Sequence, residues 1–203
     1  MKRAGSESMI AGLHYLPEYL DRNAHDQLIA AADREQWLMT IDHPVQVYGH
    51  SYNPARNIAF HIGDLPTWAT NLAVRLWQDG LLPAVPDQLV VNDYPPGTGI
   101  FPHIDQAAFG DVVASVSLGS SCVMEFSREG SIRKELLLEA RSAVVLSGEV
   151  RWNWKHEIPA RLVDVVGGQE YQRERRLSLT FRVMPARTKQ NRPKTIPSTR
   201  KQH

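Results

Sequence analysis

The sequence has very little cysteine, no long apolar run and, in its last segment, no acidic residue. Cys122 is the only cysteine among 203 residues, so the chain can form no internal disulfide, which suits a reducing compartment. No apolar stretch approaches the roughly 20 residues needed to cross a bilayer, and the N-terminus lacks the apolar core of a secretory signal. These absences predict a cytoplasmic protein that does not enter a membrane.

Segment 185–203 contains no acidic residue, and its charge is opposite to that of the rest of the chain. The segment carries six basic residues: Arg187, Lys189, Arg192, Lys194, Arg200 and Lys201. Without them, 17 basic and 22 acidic side chains remain, a net charge of about −5. With so few apolar residues the segment is predicted to be a disordered tail. It either contacts a polyanion such as nucleic acid or only keeps the protein soluble.

Residues 1–184 are predicted to form one α+β domain. Apolar spacing predicts helices over 23–37 and 66–79. Short β-rich runs then follow in close succession, at 88–94, 112–118, 121–127, 134–138, 142–147, 150–158 and 176–184. Helices followed by many closely spaced strands predict a β-sandwich or barrel braced by N-terminal helices.

A His-x-Asp motif follows a proline- and glycine-rich turn. In an extended chain, residues two apart point to the same side, so His103 and Asp105 can offer a nitrogen and an oxygen to one ion. His156 is the candidate third ligand, and strand alternation is expected to place Trp152, Trp154 and His156 on a shared face. Two histidines and one carboxylate leave three coordination positions open, as in non-haem Fe(II) oxygenases. Zinc more typically takes a closed four-ligand set or a thiolate.

The run RLSLTFR, residues 176–182, alternates polar and apolar side chains. One face would carry two hydroxyls with Arg176 and Arg182, while the other packs against an apolar core. Guanidinium groups inside a barrel are costly unless paired, and an interior carboxylate would pair them. Asn92 and Tyr94, two apart on an earlier strand, supply further donors on one face. The alternative is a solvated outer face of a surface strand.

Together these segments resemble the AlkB family of Fe(II)/2-oxoglutarate dioxygenases. The matching elements lie in the family's order between residues 88 and 184: NDY followed by PPGTGI, then HID, SVSLGSSCVMEF, SGEVRWNWKH and RLSLTFR. The resemblance implies a double-stranded β-helix, or jelly roll, braced by the N-terminal helices.

The resemblance also implies roles for the candidate residues. Fe(II) would be bound by His103, Asp105 and His156. The co-substrate 2-oxoglutarate would be held by Asn92, Tyr94, Arg176 and Arg182, with Arg176 at its distal carboxylate. Oxygen and 2-oxoglutarate would yield succinate and carbon dioxide while a substrate C–H bond is hydroxylated. Where that carbon sits on nitrogen, the product releases an aldehyde, which is oxidative dealkylation.

The resemblance implies a nucleobase in nucleic acid as the substrate, extruded into the pocket. Residues 45–60 resemble the family's nucleotide-recognition lid, with Tyr48 and Tyr52 as candidate substrate contacts. Repair members carry a second acid two residues beyond the metal aspartate, where this sequence has Ala107. The chain therefore looks closer to the branch that hydroxylates a modified wobble uridine in tRNA, and RNA is favoured over DNA.

Two other functions stay open at this point. The acidic body favours a dioxygenase that acts on a protein or a small molecule. A catalytically silent nucleic-acid-binding module on the same fold is also conceivable, although every expected ligand and clamp residue is present. The protein is expected to be a monomer.

Overall fold

A computed structural model describes residues 10–185, except residues 41–42, 54, 57 and 129–131. Of the tail predicted at 185–203, all but Pro185 lies outside the described residues. The described part contains the helices α1 (Arg22–Ala32), α2 (Thr67–Gln78) and α3 (Gly148–Asn153), and a 3-10 turn at Ala107–Phe109. Within it, no helix combines the length and apolar character needed to span a bilayer.

β-strands make up most of the fold. They are β1 (Leu13–Leu16), β2 (Leu38–Met39), β3 (Pro44–Tyr48), β4 (His50–Asn53), β5 (Ile58–His61), β6 (Gln88–Tyr94), β7 (Ile100–His103), β8 (Val112–Gly119), β9 (Cys122–Arg128), β10 (Ile132–Leu138), β11 (Ala143–Ser147), β12 (Lys155–Ile158), β13 (Val163–Val166), β14 (Gln169–Gln172) and β15 (Arg176–Arg182). A large sheet has the order β1-β11-β8-β15-β6-β3-β2, and a small sheet has the order β10-β9-β12-β7. The pairs β4–β5 and β13–β14 form separate hairpins.

Strand β15 lies inside the large sheet, antiparallel to β6 on one side and to β8 on the other. Leu177, Leu179 and Phe181 are buried in one apolar cluster together with Leu28 of α1 and Leu76 of α2. Because side chains alternate along a strand, the intervening polar residues point to the opposite face. The alternation predicted for residues 176–182 is confirmed.

A second apolar cluster fills part of the space between the sheets. It contains Val144 and Leu146 of β11 in the large sheet and Met124, Phe126 and Ile158 of the small sheet. The two sheets therefore pack face to face, and the polar face of β15 is turned toward this interior.

Two predictions of local structure need correction. The strand predicted over 150–158 is helix α3 up to Asn153, and only Lys155–Ile158 is a strand. Trp152 and His156 consequently do not share a strand face. The helix predicted over 23–37 ends at Ala32, with Asp33 as its C-cap. The carboxylate of Asp33 pairs with Arg175, with 2.7 Å between Oδ1 and Nη2.

Candidate metal centre

The three predicted ligands meet at one point between the sheets. His103 ends β7, His156 lies in β12, and the two residues are directly opposite each other in the antiparallel pairing. Their ring centroids are 4.3 Å apart. Asp105 follows β7 by two residues, and one ligand atom from each of the three side chains lies within 4.8 Å of the other two. Two adjacent strands and one turn are enough to assemble the set.

The ring of His103 is oriented by its own strand. Its Nδ1 lies 2.8 Å from the carbonyl oxygen of Phe101. A carbonyl only accepts, so Nδ1 carries the proton and Nε2 keeps its lone pair for a metal. A hydrogen bond of this kind is the usual support of a metal-binding histidine.

The electrostatics of the centre favour the metal-binding forms of its residues. Burial raises the pKa of Asp105, but Arg182, and then His156 and His103, outweigh it, and the pKa falls from 3.8 to about 2. Burial is the main reason why the pKa of His156 falls from 6.5 to about 4. Near neutral pH the carboxylate is charged and this imidazole is neutral, as metal binding requires.

Arg151 fixes the segment that carries Asp105, which sequence reasoning missed. Its guanidinium donates to the carbonyl oxygens of Asp105 at 2.9 Å, of Gln106 at 2.8 Å and of Gly110 at 3.1 Å. The residue is only 2% exposed, although it is an arginine on a short helix. The one signal in the sequence was an arginine within the aromatic run RWNW, which the predicted strand left without a role.

Arg182 and Arg176 lie at opposite ends of β15 and have different partners. Arg182 donates to Oδ1 of Asp105 at 3.0 Å, and its Cζ is 4.3 Å from the ring centre of Phe109. Among the described residues, Arg176 donates only to the hydroxyl of Ser117, at 2.9 Å, and its Cζ lies 5.5 Å from the ring centre of Tyr94. Its Nε and Nη1 are buried without a hydrogen-bond partner among the described residues, as is Nε of Arg182.

A cavity beside the triad is lined by both sheets. Asn92 and Tyr94 of β6 and Arg182 of β15 contribute to it from the large sheet. Arg176 lines an adjoining cavity, which shares Tyr94 and Ile158 with the first. The structure thus brings three of the four predicted co-substrate residues to the triad and places Arg176 next to Tyr94.

The two lid tyrosines have different surroundings. Tyr52 of β4 packs edge-on against Phe109, with 5.2 Å between ring centroids, and its hydroxyl is 3.5 Å from Oε1 of Gln106. It therefore contacts the segment that follows Asp105. Tyr48 packs instead against Trp68 of α2, with 6.2 Å between ring centroids, and lies with the helix-side cluster rather than at the cavity.

The two tryptophans near His156 do not line the cavity beside the triad. Trp154 is buried in the cluster between the sheets. Trp152 is 38% exposed and lies under the guanidinium of Arg151, with 4.2 Å from Cζ to the ring centre. Ala107, which stands where repair relatives were expected to have a second acid, begins the 3-10 turn after Asp105.

Residues 36–182 match the family model described as "2OG-Fe(II) oxygenase superfamily". The chain belongs to this superfamily. This oxygenase therefore uses Fe(II), 2-oxoglutarate and O2, and the His-Asp-His set described above fits iron binding. The buried, unpaired guanidinium nitrogens fit an anionic co-substrate equally well.

Among known proteins, this oxygenase is similar in sequence to AlkB homologues. The oxygenase is 35% identical to the "Alkylated DNA repair protein ALKBH8 homolog" of Arabidopsis thaliana, over 87% of this chain and 59% of that protein. It is 30% identical to the mouse "tRNA (carboxymethyluridine(34)-5-O)-methyltransferase ALKBH8", over 83% of this chain and 27% of that protein. The AlkB-like character predicted from the sequence is confirmed. The chain spans less than two thirds of the length of both relatives.

Solved structures agree on the fold. The structure of OsALKBH1 matches 86% of this chain and 98% of its own, with a TM-score of 0.62 and 15% identity. The predicted jelly-roll type of fold is thereby confirmed at the level of the oxygenase family.

Proposed function

We propose that this oxygenase hydroxylates or oxidatively dealkylates a nucleobase in nucleic acid, with RNA, and tRNA in particular, favoured over DNA. The observation that carries the proposal is the contact between the lid hairpin β4–β5 and the segment after Asp105, made by Tyr52 and Phe109. It puts the segment that resembles a nucleotide-recognition lid beside the metal centre. The names of the two relatives, one for repair of alkylated DNA and one for a tRNA uridine, support a base as substrate.

Within this proposal, His103, Asp105 and His156 hold the iron. Bound iron, with 2-oxoglutarate and O2, supplies the oxidising power for attack on a C–H bond. Arg151 keeps the Asp105 segment in place through the main chain. His103 is held as the Nδ1–H tautomer, so the lone pair of its Nε2 would be available to the metal.

The co-substrate is held by Asn92, Tyr94, Arg176 and Arg182. Arg176 clamps the distal carboxylate. Its Nε and Nη1, which are buried without a hydrogen-bond partner among the described residues, support this role because a carboxylate accepts from guanidinium N–H groups. Arg182, already bonded to Asp105, lies near the iron-bound end, with Asn92 and Tyr94 lining the same cavity.

The substrate base enters the cavity from the side of the lid and contacts Tyr52. Flipping a base out of its stack costs a few kcal/mol, which aromatic contacts in the pocket offset. The position of Tyr48 on the helix side gives no support to a substrate contact there. Its predicted role stays a prediction.

The domain boundaries also belong to the proposal. Residues 1–184 form one catalytic domain that acts as a monomer, with residues 45–60 as its lid. Bracing of the large sheet by α1 and α2 is supported by the shared apolar cluster. The basic segment 185–203 is proposed either to contact nucleic acid or only to keep the protein soluble.

One experiment separates the possible substrates. The protein is incubated with Fe(II), 2-oxoglutarate and either methylated DNA or total tRNA, and the nucleosides are then measured by mass spectrometry. Loss of a methyl group indicates dealkylation, and gain of one oxygen indicates a stable hydroxylation. Succinate formed without any change in a nucleoside would point to the alternative, a protein or small-molecule substrate. His103→Ala and Asp105→Ala provide the controls, because neither is expected to form succinate.

A further inference from the structure

His43 is a buried histidine that belongs neither to the triad nor to the proposed co-substrate residues. It stands directly before β3 and is 8% exposed. Its Nε2 lies 3.0 Å from Oδ1 of Asn92, and its ring centroid lies 4.4 Å from that of Tyr94. It therefore contacts the two residues of β6 that line the cavity beside the metal centre.

The contact with Asn92 determines which way the amide of Asn92 faces. An amide oxygen only accepts, so Nε2 of His43 must carry the proton and donate. With its oxygen held by His43, Asn92 keeps its NH₂ group for other partners. A carboxylate co-substrate needs donors around it, so the opposite orientation of the amide would present the wrong atom.

The position of His43 is fixed by its surroundings. The hydroxyl of Thr40 donates to the carbonyl oxygen of His43 and accepts from its N–H group at 3.2 Å. Two residues later Val45 pairs with Asn92 in the sheet, so the strand that follows His43 is in register with β6. In the part of the chain that the structure describes, Nδ1 has no hydrogen-bond partner, so only the Asn92 contact selects the tautomer.

We propose that His43 is a positioning residue that holds the amide of Asn92 with its NH₂ group toward the carboxylate of 2-oxoglutarate. The inference rests on the proposed role of Asn92 in co-substrate binding. His43 itself touches neither the iron nor the reacting atoms. It acts on the binding of co-substrate and leaves the chemistry of the centre unchanged.

The first test measures the tautomer in the unchanged protein. Nitrogen-15 spectra of the side chains in the metal-free full chain report which ring nitrogen of His43 carries the proton near neutral pH. The proposal expects a proton on Nε2, in a hydrogen bond to Asn92. A proton on Nδ1 alone would overturn it, whatever the variants do.

The second test compares His43→Leu with His43→Gln. Anaerobic calorimetry measures the binding of 2-oxoglutarate to the Fe(II)-loaded full chain. Loss of one oriented hydrogen bond to a charged group weakens binding by about tenfold, so His43→Leu is expected to show a loss of this size. His43→Gln keeps an N–H group at a similar reach and is expected to restore most of the affinity. Iron binding is expected to be the same in both variants.

Two results would contradict the inference while leaving the proposed function intact. Unchanged affinity in His43→Leu would show that Asn92 needs no help. An equal loss in both variants would show that His43 acts only by packing against Tyr94. Asn92→Ala separates the inference about His43 from the proposed role of Asn92. Full 2-oxoglutarate binding in this variant would refute the role of Asn92 itself.

Discussion

Arg182 and Arg176 occupy the two ends of one strand, and both are almost fully buried, yet their surroundings differ. Arg182 is paired with the carboxylate of Asp105. Arg176 has a single hydroxyl partner, no carboxylate partner among the described residues, and two unpaired nitrogens. A buried charge without a counter-ion is costly, and an anionic ligand at Arg176 would offset that cost. Arg182 thus stabilises the metal centre, whereas Arg176 is available to bind an anionic ligand.

The largest effect on stability is expected at Arg182, the arginine that is paired with Asp105. Arg182→Met leaves the carboxylate of Asp105 buried without its main counter-charge, which is expected to lower the free energy of unfolding of the metal-free protein by about 3 kcal/mol. Urea unfolding near neutral pH measures the loss.

The double variant Arg182→Met with Asp105→Asn serves as the control. It removes both charges, so it is expected to recover most of the stability. If the double variant unfolds as easily as Arg182→Met alone, lost packing of Arg182 against Phe109 is the cause, and the ion pair is not.

Acid titration tests the electrostatics of the metal centre beside Arg182. The pKa of His156 is about 4 in the folded protein and 6.5 ordinarily, so between these values the unfolded chain binds the additional proton. The metal-free protein is expected to lose about 3 kcal/mol of stability as the pH falls from 6.5 to 4.

Asp105 contributes in a lower range. Its folded pKa is about 2, so its stabilising contribution is present above pH 3.8 and is lost as the pH falls toward 2. The free energy of unfolding of His156→Gln should therefore change less with pH above pH 4. Below pH 4 it should still fall, because Asp105 keeps Arg182 as its counter-charge. A slope above pH 4 that persists in His156→Gln would assign it to another group.

Replacing Arg176 is expected to change the stability of the protein in the opposite direction from replacing Arg182. Arg176→Met removes a buried charge that has no counter-ion within the described chain, so the free protein is expected to become more stable, by about 2 kcal/mol. The same variant is expected to lose 2-oxoglutarate binding, and added co-substrate should no longer raise its melting temperature.

Arg182→Met is the matched variant for this measurement, since both remove one guanidinium from the same face of β15. The comparison fails if both variants shift the melting temperature in the same direction.

The sequence predicted the parts of the fold in which side chains alternate against two different environments. Strands were predicted over 88–94 and 176–184, and they are observed at Gln88–Tyr94 and Arg176–Arg182, where side chains alternate between the helix-side core and the polar interior. Only the two-residue spacing of His103 and Asp105 is a local pattern of this kind, and the structure brings both together with His156 of the adjacent strand β12.

The parts that were missed depend on the main chain or on distant partners. The run RWNWKHEI alternates as a strand does, yet its first half is helical. Arg151 works through carbonyl oxygens, which every residue possesses, so its partners leave no trace in the side-chain pattern. The contact between His43 and Asn92 joins residues that are 49 positions apart, so no local pattern in the sequence indicates it.

The smallest effect is expected at Arg151, a third buried arginine near the metal centre. It is as buried as the two arginines of β15, but its hydrogen-bond partners among the described residues are neutral carbonyl oxygens of the segment from Asp105 to Gly110. Arg151→Lys keeps the charge but cannot reach three carbonyls with a planar fork, so the segment should loosen. Groups that orient a metal ligand typically change metal affinity by 10- to 100-fold, and we expect a weakening of about tenfold for Fe(II), measured by competition with a chelator. Arg176→Lys is the matched control, because it makes the same replacement away from the triad and should leave iron affinity unchanged. Equal iron affinity in both variants would show that the Asp105 segment holds its shape without Arg151.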